Sequence, residues 1–496
     1  MPKVLSPLLV EDPTPSNVYV TILPSGDTTG ATDTAAINAV LTAGGTVFLA
    51  QANGVDMGGT PYYTNAPLTP TTGSAIIGVM PWSAVDADDY GAGQGHAGGS
   101  CIHPVAAFSG TAVINMTNAT TTQYYGVTLK NFSIEGWALT GTTIEGIHIE
   151  GAWGAGFMQG VCVDIVPGNC LHFETNSTSN FNPDDWTVEH CKFSASQNGY
   201  GVYSDNLPDC WFCDCESSEN DLDNWYFLYS ANTSLTRCKG ENSTAGAGFR
   251  FGGQGGTGRA LNLNGCTSHD NNQGGFLFDN TAGGSGGVYL LSNCVDIIDT
   301  GASGISASAV GYYSNGCPNV VMVSNCYAFG AKYGGAQAGT TGGITFTNCY
   351  LNGTTASTHD DGSGTIRMIV NLPIGGTSPA FTSGGGTFTG FIAPAVIALT
   401  DGSSVALNAA SGNVFTWSLG ASSHTLAAPS NPVNGQIITI DIAYTGSFTP
   451  LFNSAFAFGN DGQPSWSATS GKTDSVAFRY SSLKSEWLCM GWKLGF

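Results

Sequence analysis

Three acids recur at one point of a repeating frame: Glu219, Glu241 and Asp270 each follow a cysteine by three or four positions. Asp221, Asp223, His269 and Asp299 likewise follow a cysteine of this series by no more than eight positions. If successive frames stack about 4.8 Å apart, as paired strands do, these acids form a stripe. Carboxylates about 5 Å apart suit a retaining glycosidase, and a separation of about 6.5–9.5 Å suits an inverting one. Glu219 with Glu241 meets the first spacing and Glu219 with Asp270 the second. One carboxyl, kept protonated by its neighbours' charge, would act as the acid while the other activates water. Trp211, Trp225 and Tyr226 lie in the same frames and present faces that stack on sugar rings.

The expected catalytic residues are therefore Glu219, Glu241 and Asp270. The expected substrate-binding residues are Trp211, Asp221, Asp223, Trp225, Tyr226, His269 and Asp299. The opposite loops carry Asp205, Asp209 and Asp279, the next choice. A plain solvated edge has the same composition and stands as the alternative. "CWFCDC" at 210–215 has metal-like spacing, but Cys213 and Cys215 share a strand face and lack a partner pair. "HDDGSG" at 359–364 reads as linker. No metal and no cofactor are expected.

The frame itself is set by cysteine. Cys191, Cys215, Cys238, Cys266, Cys294, Cys326 and Cys349 are spaced by 24, 23, 28, 28, 32 and 23 residues, the beat of a solenoid. Apolar residues stand five and three positions before the cysteine, as at Leu261/Leu263, Tyr289/Leu291 and Ile344/Phe346. That alternation marks a strand with one buried face. Asn293, Asn325 and Asn348 precede it, and Asn suits a tight left-handed corner. Another strand follows, such as "GYGVYS", "WYFLYS" or "GGFLF". The unit is one coil of a parallel β-helix, and about nine coils fit between Val127 and Tyr350. The cysteines become a column of buried thiols whose parallel directions disfavour disulfides.

Composition agrees. Gly is 70 of 496 residues, twice the usual share of about 7%. Charged residues are 10% against a usual ~25%. The formal net charge of -22 repels nucleic acid and anionic membranes. No apolar run approaches the ~18 residues of a membrane span, and the first residues do not read as a signal peptide.

At the start, "GDTTGATDTAAINAVLTAGG" predicts a short helix with Asp33 as its N-cap, Ala36, Ile37, Val40 and Leu41 on its apolar face, and Gly44–Gly45 as its end. It would cap the open end of the first coil. The stretch resembles the opening of pectin-lyase-like β-helix proteins, which include polygalacturonases and phage tailspikes. It departs from them at Ala31-Thr32-Asp33, where two adjacent acids are usual. Near the other end, "TLAAPSNPVNGQ" and the Tyr/Trp-rich tail resemble the C-terminal module of phage tail-fibre proteins. Short alternating strands and Gly/Asn/Asp turns there predict a β-sandwich.

Together these give an all-β chain: a right-handed parallel β-helix with an N-terminal capping helix, then a C-terminal β-sandwich. The expected segments are 1–22 for attachment, 23–350 for the β-helix, 351–395 for a Gly/Ser/Thr-rich linker or crossover, and 396–496 for a trimerising tip. The resemblances imply a homotrimeric tailspike of a phage or prophage, assembled in the host cytoplasm and located in the virion tail. Its partners would be a host surface polysaccharide and a tail or baseplate protein, with no nucleic acid and no membrane insertion. It would depolymerise the glycan as a hydrolase or lyase. The alternatives are a non-enzymatic adhesin and a secreted β-helix polysaccharide-degrading enzyme. The central coils lack the Asn-Thr-Asp, Asp-Asp, Gly-His-Gly and Arg-Ile-Lys series of polygalacturonases.

Overall fold

The computed structural model describes residues 18–51, 60–79, 99–118, 123–177, 181–253, 260–280, 287–299, 304–338, 343–360, 365–369, 396–420 and 423–496. The chain divides into two compact units, Met1–Thr389 and Gly390–Phe496. The first is a right-handed parallel β-helix. Most of the expected attachment segment, 1–17, lies outside the described residues.

Each coil from Ala75–Ile77 through Ala356–Asp360 contributes a strand to each of three parallel sheets. The first sheet runs from Tyr19–Ile22 to Thr365–Ile369, the second from Tyr62–Thr64 to Tyr350–Asn352, and the third from Ala112–Asn118 to Ala356–Asp360. Between the first and second sheets the chain turns on one left-handed residue. Asn293, Asn325 and Asn348 take that role with φ of 55, 52 and 53°, as their type predicts. Between the second and third sheets Glu219, Asn242 and Asp270 are left-handed too, with φ of 57, 54 and 48°. Such conformations cost of order 1–3 kcal/mol for side chains other than glycine. Backbone ladder bonds such as Glu219 N–H to Glu241 O, 3.0 Å, offset that cost.

Inside, stacking puts like on like. The seven cysteines of the repeat are all buried, and all fourteen cysteines are free thiols. Burial pushes the thiols of Cys191 and Cys238 well up. The third sheet sends in a column of rings, Trp225, Phe249, Phe276 and Tyr312, with centroids 5.9, 4.9 and 5.0 Å apart and planes within 7°. The capping helix, Ala31–Thr42, closes the first coil with Ile37, Val40 and Leu41. Ala36 faces out.

Asp33 is not the helix cap. Gly30 holds that position with φ of 78°, and a Cβ there would meet the backbone of Thr64 at 2.7 Å. This bend brings Asp27 back so that its carboxylate accepts the Thr32 N–H at 3.0 Å. Asp33 is buried instead and accepts the N–H groups of Ser25 and Tyr63 at 2.9 and 3.0 Å. It ties the helix to the first coil.

The expected boundary at 351 also moves. Ala356–Asp360 and Thr365–Ile369 pair in parallel with the preceding coil, because an existing strand edge supplies hydrogen-bonding partners even to a Gly/Ser/Thr-rich segment. Residues 370–395 lie outside the described set. In the second unit, Val396–Leu399, Val414–Leu419 and Ile437–Tyr444 pair in parallel. Thr473–Ser481 and Glu486–Lys493 add antiparallel strands, and Phe456–Ala457 closes this six-stranded mixed sheet. A second, three-stranded parallel sheet holds Ser404–Val405, Thr425–Leu426 and Leu451–Phe452. Period-two alternation cannot tell parallel from antiparallel pairing. The chain's detour through the second sheet makes the early strands parallel.

One polar group is out of place. Asp296 faces the core in register with Ser268 and Ala328, and neither carboxylate oxygen has a well-aligned partner. A Cβ at Gly275 would stand 2.6 Å from it. Burial raises its pKa well above the ordinary range, so the folded chain keeps a proton that the unfolded chain releases. That penalty is absent below the unfolded pKa and grows as pH rises above about 4. Asp296→Asn is therefore expected to stabilise the fold at pH 7. The gain should vanish below pH ~4. Thermal or urea unfolding at both pH values checks this, and no gain at pH 7 contradicts it.

Candidate functional site

The outward residues of the third sheet form rows across the coils. Parallel registry places His148 beside His172, His172 beside Tyr203, Tyr203 beside Tyr226, and Tyr226 beside Arg250. Two residues further along each strand, Glu150 pairs with Glu174, and Asp205 continues that row. The intervening residues, Ile147, Ile149, Leu171, Phe173 and Val202, are buried and lock these strands to the core. At the corner end stand Glu145, Asn169, Tyr200 and Asp223.

The contacts are close. His172 Nδ1 lies 2.8 Å from Glu145 Oε1, and His148 Nε2 lies 2.8 Å from Glu174 Oε2. The two imidazoles stack at 4.7 Å with planes 6° apart. Carboxylate oxygens of Glu150 and Glu174 and a nitrogen of His148 all lie within 4.8 Å of one another. Tyr200, Tyr203 and Tyr226 cluster at 5.0–5.6 Å. Arg250 lies over Tyr226 at 4.8 Å and reaches Asp279 at 2.8 Å and Asp223 at 3.6 Å.

Environment separates the charges. Burial disfavours a charged His172, but the Glu145 hydrogen bond and the charges of Glu145, Glu174 and Asp205 outweigh it and raise its pKa. Burial raises Asp205 and, against the Ala247 N–H and Arg250, Asp223. It pushes Tyr200 and Tyr203 up to about 12, so both are neutral phenols at neutral pH. Titratable groups whose environments push their pKa values apart are what acid–base chemistry requires.

The ten residues expected from the sequence go to several places. Glu241 faces out from the second sheet, 2.6 Å from Lys239 Nζ and 3.7 Å from His269 Nδ1. His269 Nε2 also lies 3.3 Å from Asp299 and 3.8 Å from Asp270. Asp270 accepts the Asp299 N–H at 2.7 Å. These four therefore form a second, more exposed cluster. Glu219 stays at the corner, in the row that Asn242 and Asp270 share, one position out of register with Glu241. Asp221 is also held at the corner, its N–H donating to Ser196 O at 2.9 Å. Asp223 and Tyr226 turn to the third sheet, where Asp205 and Asp279 join them. Asp209 sits apart, accepting from Asn232 at 3.0 Å.

Two aromatic expectations change. Trp211 is 46% exposed but lies on the outer face of the first sheet, between Thr187 and Ser234. Trp225 is 0% exposed. It cannot stack on a sugar, because strand alternation turns it inward and Tyr226 outward.

The sequence does carry a signal for the rows that were missed. "IHIE" at 147–150, "LHFE" at 171–174 and "VYSD" at 202–205 repeat apolar–polar–small or apolar–acid. Counting from the cysteine column directs attention to the turns and passes over these strands.

The fold agrees with one family model. Residues 169–351 match the family model "Right handed beta helix region". No curated protein sequence matches the chain. Among solved structures, DFA-IIIase from Arthrobacter chlorophenolicus without its lid is similar at TM-score 0.49 and 12% identity, covering 72% of this chain and 94% of that one. The A-module of the Azotobacter vinelandii mannuronan C-5 epimerase gives 0.48 and 15%, covering 72% and 95%. The gp42 tailspike of an Acinetobacter phage gives 0.47 and 12%, covering 90% and 74%. Among the described residues no helix is long and apolar enough to cross a membrane.

Trp225 and Tyr203 are expected to respond differently. Trp225→Ala should cost about 3–5 kcal/mol of stability. Tyr203→Ala, at a half-buried outward position, should leave the melting temperature within a few degrees and weaken retention on an immobilised glycan ligand. Calorimetry and affinity electrophoresis measure the two effects. Equal melting losses would place Tyr203 in the structural core as well.

Proposed function

We propose that this chain binds and cleaves a polysaccharide laid along the outer face of the third sheet. The paired rows carry the reading: His148, His172 and Tyr203 beside Glu150, Glu174 and Asp205. Asp205, held toward its protonated form, serves as the acid, and Glu174 as the base or nucleophile. Tyr200 and Tyr203 supply faces on which sugar rings stack, with the buried Tyr226 packed beneath them. Among the described residues of this face, the carboxylates of Glu145, Glu150, Glu174, Asp205, Asp223 and Asp279 outnumber one guanidinium, that of Arg250, which pairs with Asp223 and Asp279. Such a face repels uronates, so the substrate class is a neutral or amino-sugar polymer. The resemblances at both ends support placing this activity in a phage or prophage tailspike, assembled as a homotrimer with the second unit as its trimerising module.

A second reading places the chemistry at Glu241, His269, Asp270 and Asp299, where imidazole and carboxylates also converge. Variants separate the two. Glu174→Gln and Asp205→Asn should each lower release of sugar ends from host surface polysaccharide by at least ~100-fold while binding persists. The triple variant Glu219→Gln/Glu241→Gln/Asp270→Asn should keep its rate. The reverse pattern moves the site to the second sheet. Binding without any release by the unaltered protein makes the chain an adhesin.

Light scattering on the same preparation should give three times the chain mass of 51.0 kDa. A stable monomer removes the trimer from the proposal.

A further inference from the structure

The imidazole pair at one end of this face has the features of a cation site. His148 and His172 stand on adjacent strands in register, and both Nδ1 atoms approach the same carboxylate. His172 Nδ1 lies 2.8 Å from Glu145 Oε1, and His148 Nδ1 lies 3.4 Å from Glu145 Oε2. One ligand atom from each of the three side chains lies within 4.8 Å of the other two. The positions are held from below, since the flanking Ile147, Ile149, Leu171 and Phe173 are fully buried.

The pair is also poorly satisfied as it stands. His148 is 9% exposed, and neither of its buried ring nitrogens makes a well-aligned hydrogen bond, although carboxylate oxygens are near. His172 Nε2 is likewise buried without a hydrogen bond. Native proteins rarely leave such groups unmatched. Around the three, outer partners are in place. Glu174 Oε2 lies 2.8 Å from His148 Nε2, and Asn169 Nδ2 donates to Glu145 Oε1 at 2.6 Å. A carboxylate behind a ligating imidazole is the arrangement that orients metal ligands.

We propose that Glu145, His148 and His172 bind a divalent transition-metal ion of the zinc class. Two imidazole nitrogens and one carboxylate oxygen match that class, whereas calcium and magnesium sites are built from oxygens. Three protein ligands leave a fourth position for water or a sugar hydroxyl. The site stands independently of the glycan reading, which enters only through the occupant of that position.

The test uses the full chain, stripped with chelator and titrated with Zn2+ alone by calorimetry. Saturable uptake of a single ion per chain is expected. Glu145→Gln and His172→Ala should each weaken it by at least about 100-fold, beyond the roughly 10–100-fold that loss of an outer partner costs. Asp209→Asn, at a side chain that sits apart from this face, should leave it unchanged. Circular dichroism checks that each variant is folded. X-ray absorption on the unaltered protein, which needs no variant, should show nitrogen or oxygen neighbours at about 2.0–2.1 Å.

Absence of uptake by the folded chain overturns the site. So does a sulfur shell at about 2.3 Å, which would move the ion to cysteine. Undiminished uptake by a folded His148→Ala/His172→Ala double variant overturns it too. No glycan is present in these measurements, so their failure leaves the polysaccharide reading standing, and failure of glycan cleavage leaves the zinc result standing.

Discussion

Parallel, in-register backbone pairing between successive coils is the constraint on which the rest of the β-helix depends. Each strand's donors and acceptors are met by the strand one coil away, at about 4.8 Å. Registry then forces equivalent residues of neighbouring coils into columns. Trp225, Phe249, Phe276 and Tyr312 stack face to face for this reason. The thiol column follows from the same rule, as do the corner residues Asn293, Asn325 and Asn348 in one left-handed conformation. A column leaves one size of space, so the residue type recurs even where loop lengths differ.

The second and third sheets converge closely, and small residues answer that geometry. Ser217, Gly240 and Ser268 stand in register on one side. Gly201 and Gly248 face them, with Ser268 Oγ 2.6 Å from where a Cβ on Gly248 would sit. The buried backbone carbonyls at this corner are met by Asn220, Asn224 and Asn271. Their amides donate to Phe193 O, Glu241 O and Gly240 O at 3.2, 2.9 and 2.8 Å. They also bond one another, Asn220 to Asn224 and Asn224 to Asn271 at 2.7 Å. A satisfied polar network of this kind fixes the packing. Asp296 enters the same narrow space without comparable partners, so its carboxyl is held toward the neutral form.

Outside, the same registry concentrates chemistry instead of apolar surface. Imidazoles, phenols and carboxylates that are one per strand in the sequence become rows of neighbours on the third sheet. Proximity at one-coil spacing makes their charges interact strongly, because the partly buried face screens them less than water does. His172 is raised by three carboxylates, while burial raises Asp205. The second-sheet cluster around His269 has similar residue types but greater exposure, with the Asp299 side chain 64% exposed. Solvent weakens such interactions, which is why the proposed site is placed on the third-sheet face.

The sequence by itself determined the repeat, the buried thiols, the Asn corners and the capping helix, because each is written as a local pattern with a fixed period. It also marked Asp223 and Tyr226, which do reach the third-sheet face. Local pattern did not determine which of two adjacent ring residues faces in. Trp225 and Tyr226 differ only by strand parity, and the fold alone set that parity. Nor did it show that Glu219 and Glu241 are one position out of register, since both follow their cysteines by nearly the same count. The parallel start of the second unit and the strands beyond Tyr350 were likewise invisible, because pairing partners come from chain distant in sequence. The grouping of Glu145, His148, His172 and Glu174 was decided by tertiary structure. These side chains come from two strands 24 residues apart, and only coil stacking brings them within hydrogen-bonding distance.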